Sequence, residues 1–142
     1  MHSTLIYLAS PYTFKCDSDV QRAAVMQHRH DLVAEALAVL MREGRNVYSP
    51  IKHCHGLHKF GLPTDWEYWE KVDGDMIRRV DELWVLTIDG WKESVGVTAE
   101  VKIAHSLAKP VHYWLPPGWT HEKPGAAGKL LCGSDHPAAR FS

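Results

Sequence analysis

Two acidic residues, Glu100 and Asp73, occupy positions where the surrounding pattern calls for apolar side chains, and such a pair can break a glycosidic bond. The segment from Ser94 to Ala104 has helical periodicity, with Val97, Ile103 and Ala104 three or four positions from Glu100 and so on its face. In an earlier helical segment Trp69, Met76, Ile77 and Val80 make the apolar side, and Asp73 lies four residues from both Trp69 and Ile77. Burying an unpaired carboxylate is costly, so a sequence seldom does it unless the group is paired, hydrogen-bonded or used in chemistry. The plain alternative is a Glu at the exposed edge of the stripe. Two such acids on separate helices suit attack by one at an anomeric carbon, while the other helps the leaving group through an oxocarbenium-like transition state. Asp75 and Asp81 stand nearby as competitors, and Asp81 fits better as a flank of the next strand.

The elements that must hold these acids follow from the same patterning. Thr4 to Ala9 is a short apolar run closed by Ser10-Pro11, which suits a strand buried on both faces. Val20 to Glu43 carries Leu32, Val33, Ala36, Leu37 and Leu40 at helical spacing, with Gly44 as a left-handed stop. Asn46 to Ser49 reads as a second strand ended by Pro50, followed by a loop over Ile51 to Pro63. Thr64-Asp65-Trp66-Glu67 has the pattern of a capping box and opens a helix that runs to about Val80. Glu82 to Ile88 is the third strand, Ser94 caps the Glu100 helix, and Val111 to Leu115 is the fourth strand. The tail from Pro116 is rich in Pro and Gly, and only Lys129 to Cys132 offers a short packing or edge-strand segment.

This β-α-β-α-β-α-β order predicts a single-domain α/β fold: a doubly wound, flavodoxin- or Rossmann-like parallel sheet of four to five strands with helices on both faces. The division is an α/β domain over residues 1–115 and a tail over 116–142 that can pack on a neighbouring subunit. Ligands in such folds bind beyond the carboxyl ends of the strands, which gathers Ser10 to Tyr12, Ser49 to Ile51 and Asp89 to Ser94 around one crevice.

At 142 residues the chain suits one domain that hides roughly two thirds of its unfolded surface. With 16 Lys plus Arg against 17 Asp plus Glu, it lacks the basic excess of a nucleic-acid binder, so no polymer partner is expected. Apolar runs fall far short of the about 20 residues that span a bilayer, and Met1-His2-Ser3 is no basic leader, so the expectation is a soluble, cytoplasmic protein without a membrane partner. Cys16, Cys54 and Cys132 are widely spaced without a CxxC pair, which favours reduced thiols.

Ile6-Tyr7-Leu8-Ala9-Ser10-Pro11-Tyr12, the aspartates Asp73 and Asp81, the strand Glu82 to Leu86 and Ser94-x-Gly96-Val97-x-x-Glu100 together resemble the nucleoside 2-deoxyribosyltransferase superfamily, over roughly residues 4 to 114. Gly90-Trp91-x-x-Ser94-x-Gly96-Val97 is similar to an uncharacterised bacterial and phage branch, and the Ser-x-Gly-Val-x-x-Glu spacing also resembles the 2′-deoxynucleoside 5′-monophosphate N-glycosidases. The resemblance implies Glu100 as nucleophile at C1′ of a deoxyribose and Asp73 as support for proton transfer at the leaving base. It also implies Tyr12 in the catalytic sugar pocket, Ser94 and Gly96 at a 5′-phosphate, and no cofactor. Helix N-termini favour such anions in any case. Arg29, fifteen residues before Gly44, is the implied phosphate or carboxylate partner, with Arg22 as competitor and bidentate pairing as rationale. Ser10 is a further binding candidate, and Trp91 the best aromatic for stacking on a base, with Trp69 and Trp84 assigned to the core.

Two departures from the family pattern shape the expectation. Ser10-Pro11-Tyr12-Thr13 is stiffer than the glycine-rich first loop of the monophosphate hydrolases, and the sole Asn, Asn46, leaves vacant the C-terminal asparagine of the transferases. The expected partner is thus a small nucleotide or nucleoside, with hydrolysis favoured over base transfer and a homodimer or larger homo-oligomer as the working assembly. A metal site at His53-Cys54-His55-x-x-His58 lacks regular zinc spacing, so no metal is expected. A non-catalytic nucleotide-binding module and glycosidic cleavage of a dinucleotide remain as other classes, the latter without any glycine-rich fingerprint.

Overall fold

The computed structural model describes residues 3–63 and 65–120. The sheet is four-stranded and all parallel: β1 (Leu5–Ala9), β2 (Asn46–Tyr48), β3 (Glu82–Leu86) and β4 (Val111–Trp114), in the spatial order β2-β1-β3-β4. The helices are α1 (Asp19–Arg42), α2 (Pro50–Cys54), α3 (Trp66–Arg79) and α4 (Val95–Ser106). This is the doubly wound α/β architecture the alternating pattern predicts.

The period-two alternation of the strands builds a core on each side of the sheet. Leu8 and Leu86, with Ile88, meet Val33, Ala36 and Leu40 of α1 on one face. Tyr7, Ala9, Leu83 and Val85 meet Ile77 of α3, Val80 just after it, and Val97 and Ala104 of α4 on the other. Strand order reverses between β1 and β3, which opens a crevice at their carboxyl ends.

Local chemistry explains the ends. Ser18 caps α1 by accepting from the Gln21 amide, and Gly44 takes the left-handed φ of 82° that the chain needs to leave that helix for β2. Ser94 caps α4 by accepting from Val97 N at 3.2 Å. The segment expected as a loop after Pro50 is helical instead. Pro50 enters α2 at its first turn, where it forfeits no helical hydrogen bond, Ser49 accepts from Lys52 N at 3.1 Å, and His55–Phe60 continues as a 3-10 turn. The expected capping box is not formed through Asp65, whose side chain makes no cap hydrogen bond, and Thr64 lies outside the described residues. The Lys129–Cys132 segment and the tail beyond Thr120 also lie outside them. Cys54 is a free, buried thiol, and Cys132 lies outside the described residues. Among the described residues no helix is long and apolar enough to cross a membrane.

Candidate active site

A cavity of about 340 Å³ opens at the carboxyl end of β1, walled by the loop after that strand, α2, the start of α3 and the N-terminus of α4. Glu100 and Asp73 both line it, and both are buried, at 4% and 7% exposure. Each sits on the apolar face that the spacing predicts: Glu100 among Val97 and Ala104, Asp73 beside Gly74 and Ile77. The helices that carry them pack on the same side of the sheet, which brings the two acids to one hollow.

Burial shapes their electrostatics. Asp73 is pushed up to about 6 by loss of solvent. Glu100 is pushed up to about 8, first by burial and then by the charge of Asp73, with a hydrogen bond from Tyr7 acting in the opposite direction. The Tyr7 hydroxyl donates to Glu100 Oε2. Burial, followed by the two carboxylates, holds the Tyr7 phenol far above its ordinary value, so it stays protonated and remains a donor. Asp73 Oδ1 is buried without a hydrogen-bond partner among the described residues, although it lines a polar cavity, which leaves that oxygen available to a ligand.

Tyr7, which the sequence reading passed over in favour of Tyr12, is the tyrosine that bonds to Glu100. A tyrosine inside a strand buried on both faces carries a hydroxyl that must find a partner, and that requirement was the available signal. Tyr12 does line the cavity but bonds elsewhere: its hydroxyl lies 2.5 Å from His55 Nδ1 and 3.2 Å from His58 Nδ1. His55 and His58 therefore belong to the cavity wall. Among the described residues no group of His, Cys, Asp and Glu has the arrangement to hold a metal.

Ser10, Ser94 and Gly96 line the cavity as expected. Ser10 Oγ is buried without a hydrogen-bond partner among the described residues, and Ser94 is occupied as the cap of α4. Arg29 and Trp91, expected to meet the substrate, are not among the residues that line this cavity. Arg29 reaches the back of the loop after β1, donating to the carbonyls of Thr13 at 2.8 Å and Tyr12 at 3.3 Å, with its guanidinium over the Phe14 ring. Burial lowers it only to about 10, so it stays charged at neutral pH. Arg29→Met leaves those two buried-side carbonyls without their donor, and is expected to lower stability by about 2 kcal/mol, at roughly 1 kcal/mol for each unmade bond. Thermal unfolding with an unchanged midpoint would show that the loop does not depend on Arg29.

Trp91 packs instead on Tyr113 of the neighbouring β4, ring centroids 5.3 Å apart. The indoles that do face the cavity are Trp66 and Trp69, so Trp69 is not a core residue. Trp69 is fixed by donating Nε1–H to Pro63 O at 2.7 Å. Trp84 lies against the α1-side core and Trp114, as expected. Asp81 accepts from Leu5 N at 2.7 Å and so ties β1 to the start of β3, and exposed Asp75 pairs with Arg78. Neither competes with Asp73 for the cavity.

A family model described as a domain of unknown function (DUF1937) matches residues 4–115, and the chain belongs to that family. No curated protein matches the sequence.

Proposed function

We propose that this family member cleaves the N-glycosidic bond of a 2′-deoxynucleotide or deoxynucleoside, with water as the favoured acceptor. The observation that carries the reading is the meeting of two buried acids, Glu100 and Asp73, in one cavity with a tyrosine hydroxyl on the first of them. Near neutral pH the pair holds about one proton, as two close carboxylates do. In the free site burial keeps that proton mainly on Glu100. Positive charge developing at the anomeric carbon favours its transfer to Asp73, which frees Glu100 as the anion that Tyr7 already solvates.

Glu100 then forms a bond to C1′ as the C1′–N bond breaks, and the base leaves with the proton of Asp73. Asp73, now a carboxylate, takes a proton from water as that water attacks C1′, and Glu100 departs with its electron pair. Sugar and phosphate lie against Ser10, Ser94, Gly96 and the start of α4, and the base against Trp66 and Trp69. Arg29 acts through the loop it holds. The residues supply nucleophile and acid/base without a cofactor or metal. Under this reading the protein works in the cytoplasm as a homodimer or larger assembly.

The test is incubation with a panel of deoxynucleosides and their 5′-monophosphates, with and without a free acceptor base, the products separated by chromatography. Release of base without acceptor is expected, from a preparation that sediments above the 16.1 kDa of one chain. Exchange seen only with an acceptor base would make the protein a transferase, and no reaction with any panel member would remove the enzyme reading.

A further inference from the structure

A chain of hydrogen bonds leads from the cavity wall to the protein surface, and the orientation of each link can be settled from the acceptor at its far end. Asp31 is an exposed carboxylate and only accepts. Gln27 Nε2 lies 2.9 Å from Asp31 Oδ1, which fixes the amide so that Oε1 points the other way. That Oε1 lies 2.8 Å from His55 Nε2, so His55 must carry its proton on Nε2. Its Nδ1 is then the acceptor, and the Tyr12 hydroxyl at 2.5 Å donates to it.

Two further contacts hold the histidine in this state. His30 stacks on His55 with centroids 4.2 Å apart and planes 18° from parallel, and itself approaches Asp31 Oδ1 at 3.2 Å. Burial, then His30 and His58, and last Lys52 disfavour a second proton on His55, and together they outweigh the opposing pull of Asp31. His55 is thereby kept neutral and able to accept.

The consequence falls on Tyr12. A phenol has one proton and two acceptor positions. With its proton committed to His55, the hydroxyl can meet only donors: His58 Nδ1, 3.2 Å away, takes one acceptor position in its N–H form, and one position is left for a ligand in the cavity that Tyr12 lines. We propose that Asp31, Gln27 and His55 form a positioning relay that makes Tyr12 a specificity-determining residue: the pocket selects a substrate that presents an N–H or O–H donor to the Tyr12 oxygen. The inference rests on the glycosidase reading for the identity of the substrate, but the relay itself does not. Three donors on 2′-deoxyadenosine or 2′-deoxycytidine meet the requirement, the exocyclic amine of the base and the 3′- and 5′-hydroxyls of the sugar.

Two measurements test the proposal. Long-range ¹H–¹⁵N correlation spectra of ¹⁵N-histidine-labelled protein read the tautomer directly. His55 is expected as the Nε2–H form in the wild type and as a mixture of tautomers in Gln27→Leu, a change at the surface. A wild-type Nδ1–H tautomer overturns the relay. Calorimetric titration is then run in a Glu100→Gln background, which keeps ligands intact. The ligands are 2′-deoxyadenosine and 2′-deoxycytidine, their analogues lacking the amine, and their 3′-deoxy and 5′-deoxy forms. Tyr12→Phe is expected to weaken the parent ligand about 5- to 10-fold, the scale of one neutral hydrogen bond, and to leave unchanged the analogue that lacks the relevant donor. Which analogue is insensitive identifies amine or hydroxyl. Equal weakening of all ligands, no weakening, or no binding by any of them overturns the proposal. Cleavage of the whole panel without discrimination would leave the glycosidase reading standing while removing this one. Donor-dependent binding through Tyr12 with no cleavage would do the reverse.

Discussion

Glu100→Gln is expected to reduce turnover of the best deoxynucleoside substrate by about 10⁴-fold or more, because the amide cannot form the covalent sugar intermediate. The substitution is close to isosteric, and the Gln carbonyl can still accept from Tyr7, so the fold should survive. Asp73→Asn removes the proton carrier only, and a loss of about 10²- to 10³-fold is expected, least for substrates whose base is a good leaving group. The wild-type rate should follow a bell-shaped pH profile with limbs near the values of the pair, about 6 and about 8, since the singly protonated pair is the competent form. Turnover by Glu100→Gln within tenfold of wild type would sink the nucleophile assignment. Undiminished nucleotide binding by Glu100→Ala, with no product from the wild type, would favour a binding module instead.

The second large effect is on stability, and it has the opposite sign. Unfolded Glu releases its proton near 4.5, whereas Glu100 in the folded protein holds its proton up to about 8. Between those values the folded state binds more protons than the unfolded state, so stability falls as pH rises through this window. Asp73, raised from 3.8 to about 6, adds a smaller fall over a lower range. Glu100→Gln removes the larger contribution. It is expected to be roughly 5 kcal/mol more stable than wild type at pH 9, with the difference shrinking toward zero near pH 4. Denaturant unfolding at the two pH values reads this directly. A variant that is less stable than wild type at pH 9 would mean that Glu100 is a structural ion and not a strained reacting group.

These two acids were legible in the sequence because helical periodicity is strict: a charge at the position between Val97 and Ala104, or between Trp69 and Ile77, has nowhere to go but inward. The same logic marks Arg29, spaced four residues from Val25 and from Val33 on the buried stripe of α1. What the pattern does not convey is the far end of a long side chain. Arg29 is buried as its place on the helix demands, yet its guanidinium ends behind the loop after β1 and not in the cavity. Trp91 was assigned to stacking because it precedes Ser94 in the chain, but Tyr113 on the adjacent strand lies closer in space.

The alternation of strands and helices, and helices on both faces of the sheet, were readable from apolar runs alternating with amphipathic ones. The helical character of 50–60 was not, because Pro50 reads equally as a strand stop and as a helix start. Pairing of Tyr12 with His55 joins positions 43 residues apart, and no local rule foretells it. Tyr7 is different: its type and place carried a usable signal, the need of a buried phenol for an acceptor.

Because Asp73 rides on α3 and Glu100 on α4, the gap between them is fixed by the seam where these helices touch, and no mobile lid has to set it. Ile103 lies 3.8 Å from where a side chain at Gly74 would begin, so that seam has room for a methyl group but little more. Chain segments remote from the opening can therefore tune the reach between the acids through the width of this joint. A larger side chain at Gly74, or a smaller one at Ile103, would act as an adjusting screw on the chemistry without touching a ligand.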